Sequence, residues 1–145
     1  MRKLILAGLL TSAFQTVSAQ TDDTALRGLW VNEAGSVVYL DPQDDGALSG
    51  YYQTELGAPD ADSQFPLTGW IQGDVVAFSV NFKGFGSITS WSGQLSDDQD
   101  GPFIRTLWHY TKDIPDAEEA EDLWRTINTG YAVFRPASGH DQPVD

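Results

Sequence analysis

The chain has no cysteine, two histidines and only eight basic residues, against 21 acidic ones. Without cysteine it can form neither disulfides nor thiolate metal sites, so its stability must come from a hydrophobic core or from oligomerisation. The net charge of −13 argues against nucleic acid and anionic membranes as partners, because both favour basic patches. Beyond the N-terminus no apolar run reaches the roughly 20 residues of a membrane span. We therefore expect neither a nucleic-acid nor a membrane partner.

The N-terminus departs from this polar, acidic pattern. Residues 1–19, MRKLILAGLLTSAFQTVSA, combine two basic residues, an apolar run and a small-residue site ending at Ala19, which is typical of a secretory signal peptide. Cleavage after Ala19 would remove Arg2 and Lys3 and no acid, changing the net charge from −13 to −15. We expect a secreted or periplasmic protein. The remainder divides into a polar leader at 20–27, one folded domain at 28–136 and a polar tail at 137–145.

Motifs of catalysis and metal binding are scarce. There is no cysteine nucleophile and no G-x-S-x-G motif, His109 has outward parity in its predicted strand, and His140 lies in the tail. DPQDDG and SDDQDG resemble the start of a calcium loop but lack a glutamate at the twelfth position, so hairpin turns explain them better. The sequence predicts a protein that is not an enzyme and has no cofactor or catalytic residue.

Short runs rich in β-branched and aromatic residues recur, separated by Gly, Asp, Pro and Ser. They predict eight strands, near 28–33, 35–41, 47–54, 65–73, 74–83, 87–96, 102–112 and 125–135. The Asp-Gly and Gly-Asp turns of DPQDDGAL, IQGDVV and SDDQDGPF favour antiparallel hairpins. Eight such strands in a small all-β domain close most economically into an up-and-down β-barrel, whose interior can hold one small ligand.

Two predicted connections are longer than a hairpin turn. Residues 55–65, ELGAPDADSQF, have the length and composition of a loop that often forms a lid. Residues 113–124 begin with Asp113 and Pro115 and continue with alanine and glutamate, a pattern that predicts one or two helical turns before the last strand.

Alternation of side chains along each strand separates an inner from an outer face. The inner face mixes large aromatics with hydroxyls and one amide: Trp30, Asn32, Tyr52, Thr54, Phe78, Val80, Phe82, Ser87, Thr89, Trp91, Ile104, Thr106 and Trp108. This composition is typical of a ligand pocket. The alternative is an ordinary aromatic core whose hydroxyls bond the local backbone.

Seven segments carry a family resemblance. They are GLWVNEAGS, GALSGYYQTELG, FPLTGW, FSVNFKG, SITSWSGQL, TLWHYT and LWRTINTGYAVF. In this order, over roughly residues 28–135, they resemble the motifs of the avidin and streptavidin family of biotin-binding proteins. The resemblance implies an eight-stranded barrel that binds biotin without catalysis. It also implies that the partners are biotin, biotinylated molecules and further copies of the chain, in a homodimer or homotetramer.

The resemblance implies which residues would hold the ureido group of biotin. Asn32, Ser36 and Tyr52 match donors to the ureido oxygen, and Thr54 matches an acceptor for one ureido nitrogen. Ala132 stands where the family has an Asp or Asn that accepts from the second nitrogen. Alanine cannot accept, and a buried unpaired donor costs about 1–3 kcal/mol, or roughly ten- to hundredfold in affinity. We therefore expect a weakened site.

The same resemblance assigns the rest of the site. Thr89 matches a contact to the ring sulfur, and Ser87, with the lid backbone near Ala58, matches contacts to the valerate carboxylate. Trp124 matches an indole that caps the site of a neighbouring subunit. The ring would be walled by three aromatic side chains, Phe82, Trp91 and Trp108.

Other interpretations of the sequence remain open. The barrel would bind another small cyclic or hydrophobic ligand if Ala132 marks drift away from biotin, or it would be a secreted interaction scaffold. Trp124 would alternatively pack its own short helix against the barrel. His109, Thr129 and Tyr131 have outward parity and would form contacts between barrels, but they are more polar than a typical obligate interface. Dimers, tetramers and larger assemblies are all compatible with the sequence.

Overall fold

The computed structural model describes residues 23–54, 56, 60 and 63–137. Within them, eight strands form a closed antiparallel barrel in which each strand pairs with the next and the last pairs with the first. The strands are β1 (Gly28–Asn32), β2 (Val37–Pro42), β3 (Ala47–Gln53), β4 (Phe65–Gln72), β5 (Val75–Phe82), β6 (Ser87–Asp98), β7 (Gly101–Lys112) and β8 (Ile127–Pro136). The predicted all-β fold and its up-and-down order are confirmed.

Several predicted features lie outside the described residues. They are the signal peptide at 1–19, most of the lid loop at 55–65 and the tail from 138 onward. Among the residues that are described, no helix has the length and hydropathy required to span a membrane.

The acidic turns behave as hairpins, as their sequences predict. Asp45 Oδ1 accepts a hydrogen bond from the Ala47 backbone N–H at 2.9 Å, and Asp98 Oδ1 accepts from the Asp100 N–H at the same distance. Gly46 has φ +82°, a left-handed conformation that favours glycine. The aspartates of DPQDDG and SDDQDG therefore close turns, and these turns fix the register of the flanking strands.

The barrel is closed at the end where β1 begins. A 3₁₀ turn at Asp23–Leu26 precedes β1, and Leu26 is fully buried against the core. The indole N–H of Trp30 donates to the Leu26 carbonyl oxygen at 2.9 Å. Trp30 is therefore a core residue with a satisfied polar atom, and Asn32, two residues further along β1, lies toward the opposite end.

The connection between β7 and β8 contains the predicted helical segment. It forms a single-turn helix, α1 (Glu119–Asp122), followed by a 3₁₀ turn at Leu123–Arg125. Arg125 binds the carboxylates of Glu118 and Asp122, each at 2.9 Å, and its hydrogen bond lowers the pKa of Asp122. These ion pairs hold the segment together, although none of the helix residues is buried.

Candidate functional site

A cavity of about 680 Å³ opens at the end of the barrel that Asn32 reaches. This volume is in the range of small-molecule sites. Nine of the twelve predicted site residues line it: Asn32, Tyr52, Thr54, Phe82, Ser87, Thr89, Trp91, Trp108 and Ala132. The structure therefore places predicted residues of six strands around one cavity.

The other three predicted residues lie elsewhere. Ser36 is 1% exposed and lies behind the cavity wall, where its hydroxyl donates to Thr54 Oγ1 at 2.9 Å. Trp124 lies on the 3₁₀ turn and is 79% exposed, so the alternative that it packs its own helix against the barrel is wrong. Ala58 lies outside the described residues.

The turn between β1 and β2 fixes the orientation of the Asn32 amide. Its Oδ1 accepts from the backbone N–H groups of Ala34 at 3.0 Å and of Ser36 at 2.9 Å. Because two donors occupy the oxygen, the hydrogen-bond network assigns the NH₂ group to the other side of the amide. Asn32 lines the cavity. One side chain therefore closes the turn and also offers donors to a ligand.

The Tyr52 hydroxyl is a donor at neutral pH. Burial raises the pKa of this phenol, while hydrogen bonding to the Ser36 and Asn32 side chains partly lowers it, and the Glu33 carboxylate raises it further. The net shift is upward, so the O–H stays protonated. Asn32 and Tyr52 both line the cavity, and Ser36 is tied to the same wall through Thr54.

Three hydroxyl groups also line the cavity, those of Thr54, Ser87 and Thr89. Thr54 Oγ1 accepts from Ser36 and from the Leu56 backbone N–H at 3.1 Å. Ser87 and Thr89 are buried and line the cavity on β6. No other described side chain hydrogen-bonds to either of these two hydroxyls, so both are available to a ligand.

Aromatic rings pack into a continuous wall across the four strands β3 to β6. The Trp91 indole stacks on Phe78 and on Tyr52, with ring centroids 5.1 Å and 4.9 Å apart. Phe82 meets Tyr52 edge-on at 5.9 Å and packs against Phe65 at 5.0 Å. Because these rings support one another, the wall keeps its shape without a ligand.

The position of Trp108, on β7, depends on a glycine of the neighbouring strand. Gly130 is the register partner of Trp108 across β7 and β8. A Cβ atom at Gly130 would lie 2.3 Å from Cζ2 of the indole and 2.7 Å from Cε2. Only glycine leaves room for this ring in its observed place.

Eight further residues line the cavity, and the predicted site omitted them. They are Glu33, Ala34, Leu56, Phe85, Tyr110, Lys112, Asn128 and Tyr131. The first four lie in turns or loops, where strand alternation carries no information. Continuing the inner-face alternation beyond Trp108 and Ala132 would have found Tyr110, Lys112 and Asn128. Tyr131 has outward parity and is 62% exposed, and it borders the cavity as well.

Two of the lining residues that the structure describes are charged. Glu33 follows Asn32, and its Oε2 accepts from the Val133 backbone N–H at 3.0 Å. Lys112 is the register partner of Ser87 across β6 and β7. A carboxylate therefore lies near the polar end of the cavity, and Lys112 lines the cavity opposite Ser87 in the β6–β7 ladder.

The geometry defines a class of protein. A closed β-barrel holds an open cavity with aromatic walls and a few convergent polar groups, as small-ligand-binding barrels do. Among the described residues, no group of three or more His, Cys, Asp or Glu side chains is placed to hold a metal ion. The arrangement is suited to binding a neutral polar head with apolar surroundings.

Similarity to known proteins identifies the family. The model of the Avidin family matches residues 20–137, so the chain belongs to the avidin family of non-catalytic biotin-binding proteins. The resemblance carried by the seven segments is confirmed.

Solved structures agree with this assignment. A low-affinity mutant of shwanavidin is 29% identical over 77% of this chain and 93% of that one, with a TM-score of 0.62. The biotin binding protein from chicken is 28% identical over 80% of this chain and 98% of that one, with a TM-score of 0.68. Xenavidin is 25% identical over 79% of this chain and 99% of that one, with a TM-score of 0.67.

The contact between Gly130 and Trp108 predicts a coupled effect on stability. Gly130→Ala should lower the free energy of unfolding by about 1–3 kcal/mol, because the new methyl group displaces the indole. Trp108→Phe lacks the two clashing indole atoms, so the double variant should lose less than the sum of the two single losses. Urea denaturation of the four proteins measures this, and additive losses would show that the two positions are independent.

Proposed function

We propose that the cavity binds biotin, without chemical change, as a ligand and not as a cofactor. The observation that carries the proposal is that the Asn32 amide and the Tyr52 hydroxyl line one aromatic cavity, while the Ser36 hydroxyl lies directly behind Thr54 in the same wall. Biotin presents a carbonyl oxygen flanked by two N–H groups. Donors that are held in place in a site of low dielectric bind such an oxygen strongly.

Binding requires a rearrangement of one proton. The single proton of Ser36 is donated to Thr54 Oγ1, 2.9 Å away. To serve the ureido oxygen, Ser36 has to turn this proton toward the ligand. Thr54 Oγ1 then loses a donor and becomes free to accept from the adjacent ureido N–H. The exchange keeps both hydroxyls hydrogen-bonded, so the site loses little polar contact on binding.

The remaining assignments follow the length of the cavity. Phe82, Trp91 and Trp108 wall the bicyclic ring, and Thr89 contacts its sulfur. Ser87, nearer the mouth, receives the valerate carboxylate. In support, Ser87 is the first residue of β6 at the open end, and Thr89 and Trp91 follow it deeper into the barrel.

A fluorescence titration tests the proposal. Biotin should quench tryptophan emission stoichiometrically, because Trp91 and Trp108 line the cavity. Iminobiotin should bind more weakly as the pH falls, because its protonated guanidinium offers no lone pair to the three donors. A barrel for another cyclic ligand, or an interaction scaffold, would show no saturable response to biotin.

The same titration can compare Tyr52→Phe with a matched control, Tyr51→Phe. Tyr52→Phe removes one donor and should weaken biotin binding by about tenfold. Tyr51 stacks on Tyr39 with ring centroids 5.5 Å apart and does not line the cavity, so Tyr51→Phe should bind as the unsubstituted protein does. Equal affinities in both variants would contradict the donor role of Tyr52.

We further propose that copies of this chain associate and that Trp124 of one copy caps the cavity of another. In support, the indole is 79% exposed, which is unusual for so large an apolar group in a protein that works alone. The outer wall of the barrel carries other exposed apolar side chains, among them Leu107 and its register partner Tyr131. A second copy would cover this surface.

Trp124→Ala should speed biotin dissociation by about tenfold or more, since buried tryptophans are frequent binding hot spots. Trp70→Ala is the matched control, because Trp70 is 65% exposed and does not line the cavity. Sedimentation shows the oligomeric state, and stopped-flow competition measures the dissociation rate. A monomer in solution, or identical rates in both variants, would contradict the capping role.

Lys112 adds a charge to the carboxylate end of the proposed site. It lines the cavity and faces Ser87 across the β6–β7 ladder. An ammonium group there attracts the anionic tail of free biotin, which the acidic chain as a whole repels. An amide of biotin has no such charge and would gain nothing from Lys112.

Lys112→Gln should therefore weaken binding of free biotin by about two- to fivefold at low salt and leave binding of a biotin amide unchanged. Lys83→Gln makes the same change of net charge at a lysine that does not line the cavity. Calorimetry with both ligands measures the difference. If the two lysine variants behave alike, the effect belongs to net charge and not to this position.

A further inference from the structure

We propose that Glu33 supplies the acceptor for the second ureido N–H of the ligand, a role that Ala132 cannot fill. This inference rests on the proposed function, because it concerns the same cavity and a ligand with a cyclic urea.

The ligand's chemistry creates the requirement. A cyclic urea carries one oxygen and an N–H group on each side of it. On one side of the three donors lies Thr54, just beyond the end of β3, with an oxygen that can accept. On the other side lies β8, where the buried Ala132 offers only a methyl group. An N–H placed there without an acceptor would be buried and unpaired.

The carboxylate of Glu33 lies at this deficient side. Glu33 lines the cavity, and its Oε2 accepts from the backbone N–H of Val133 at 3.0 Å. Val133 directly follows Ala132, so the carboxylate is one peptide unit from the position that lacks an acceptor. Asn128 also lines the cavity, but four residues along β8 correspond to about 13 Å, too far to serve the same atom.

The hydrogen bond to Val133 prepares the carboxylate for a ligand. It engages Oε2, and no other described residue hydrogen-bonds to Oε1, whose lone pairs can accept from a ligand. It also holds a side chain that would otherwise rotate freely in its turn, so less conformational entropy is lost on binding. A carboxylate accepts a stronger hydrogen bond than a neutral amide does.

A second observation places this negative charge near the ureido end. Burial of the phenol and the side chains of Ser36 and Asn32 have the larger effects on the pKa of Tyr52. The Glu33 carboxylate has the next largest effect, and it raises that pKa. Its field therefore reaches the hydroxyl that is assigned to the ureido oxygen. The donors for the oxygen and the acceptor for the N–H thus belong to one cluster.

A purely structural role is the competing explanation. Glu33 extends the seam between β1 and β8 by binding a backbone N–H one position beyond the last paired residues, Asn32 and Phe134. Glutamine separates the two roles. Its single oxygen can replace Oε2 at Val133, but its NH₂ group cannot accept from a ligand. Glu33→Gln therefore keeps the seam and removes the free acceptor.

The experiment measures biotin dissociation and thermal unfolding for six proteins. Three of them keep Ala132: the unsubstituted chain, Glu33→Gln and Glu33→Ala. The other three are the same chains with Ala132→Asn added, a substitution that places a neutral acceptor on β8. With Ala132, both Glu33 variants should release biotin about ten- to hundredfold faster, and Glu33→Gln should melt as the unsubstituted protein does. With Ala132→Asn, the Glu33 substitutions should have little effect on dissociation.

The possible outcomes separate this inference from the proposed function. If the unsubstituted protein binds no biotin, the proposed function fails and this assignment fails with it. If biotin binds but leaves Glu33→Gln as slowly as it leaves the unsubstituted protein, the role assigned to Glu33 is overturned and the proposed function stands. Equal acceleration by Glu33→Ala in both Ala132 backgrounds would likewise show a structural role only, because the added acceptor would then make no difference.

Discussion

The seam between β1 and β8 is the constraint on which the rest of the molecule depends. It contains three residue pairs, Trp30 with Pro136, Val31 with Arg135 and Asn32 with Phe134, because β1 is only five residues long. This pairing turns a sheet with two exposed edges into a barrel with none. It also fixes where β1 ends, and so where Asn32 enters the turn that orders its amide. A change in the register of this seam would move the core and the polar end of the cavity together.

The same alternation of side chains supplies both the core and the cavity. On the inner face of β1, Trp30 lies at the closed end of the barrel and Asn32 at the open end. On the inner face of β7, Ile104 lies in the core and Trp108 in the cavity wall. The difference lies in what covers each end. Leu26 seals one end from the preceding segment, whereas short polar side chains at the other end leave room. An indole and an amide therefore share one face of a strand for two different physical reasons.

The predictable part of the fold is the part that periodicity and turn chemistry control. The strand order, the hairpins at Asp-Gly turns and nine of the lining residues follow from alternation combined with the resemblance of the motifs. Glu33 and Leu56 were not predicted as cavity residues, because strand alternation does not apply to residues in turns. The requirement for glycine at 130 also could not be inferred, since it depends on where the Trp108 ring lies across a strand ladder. Lys112 and Tyr110 were accessible to the same alternation and required only that it be followed to the end of β7.

The contact between the Ser36 and Thr54 hydroxyls bears on how the chain folds. Among the described residues, no buried side-chain nitrogen or oxygen lacks a hydrogen-bond partner, and this pair is one reason. These buried polar side chains are thus satisfied within the chain itself, so folding does not require a ligand to pair them. Any added resistance to unfolding in the occupied state comes from mass action, growing with the logarithm of guest concentration over its dissociation constant.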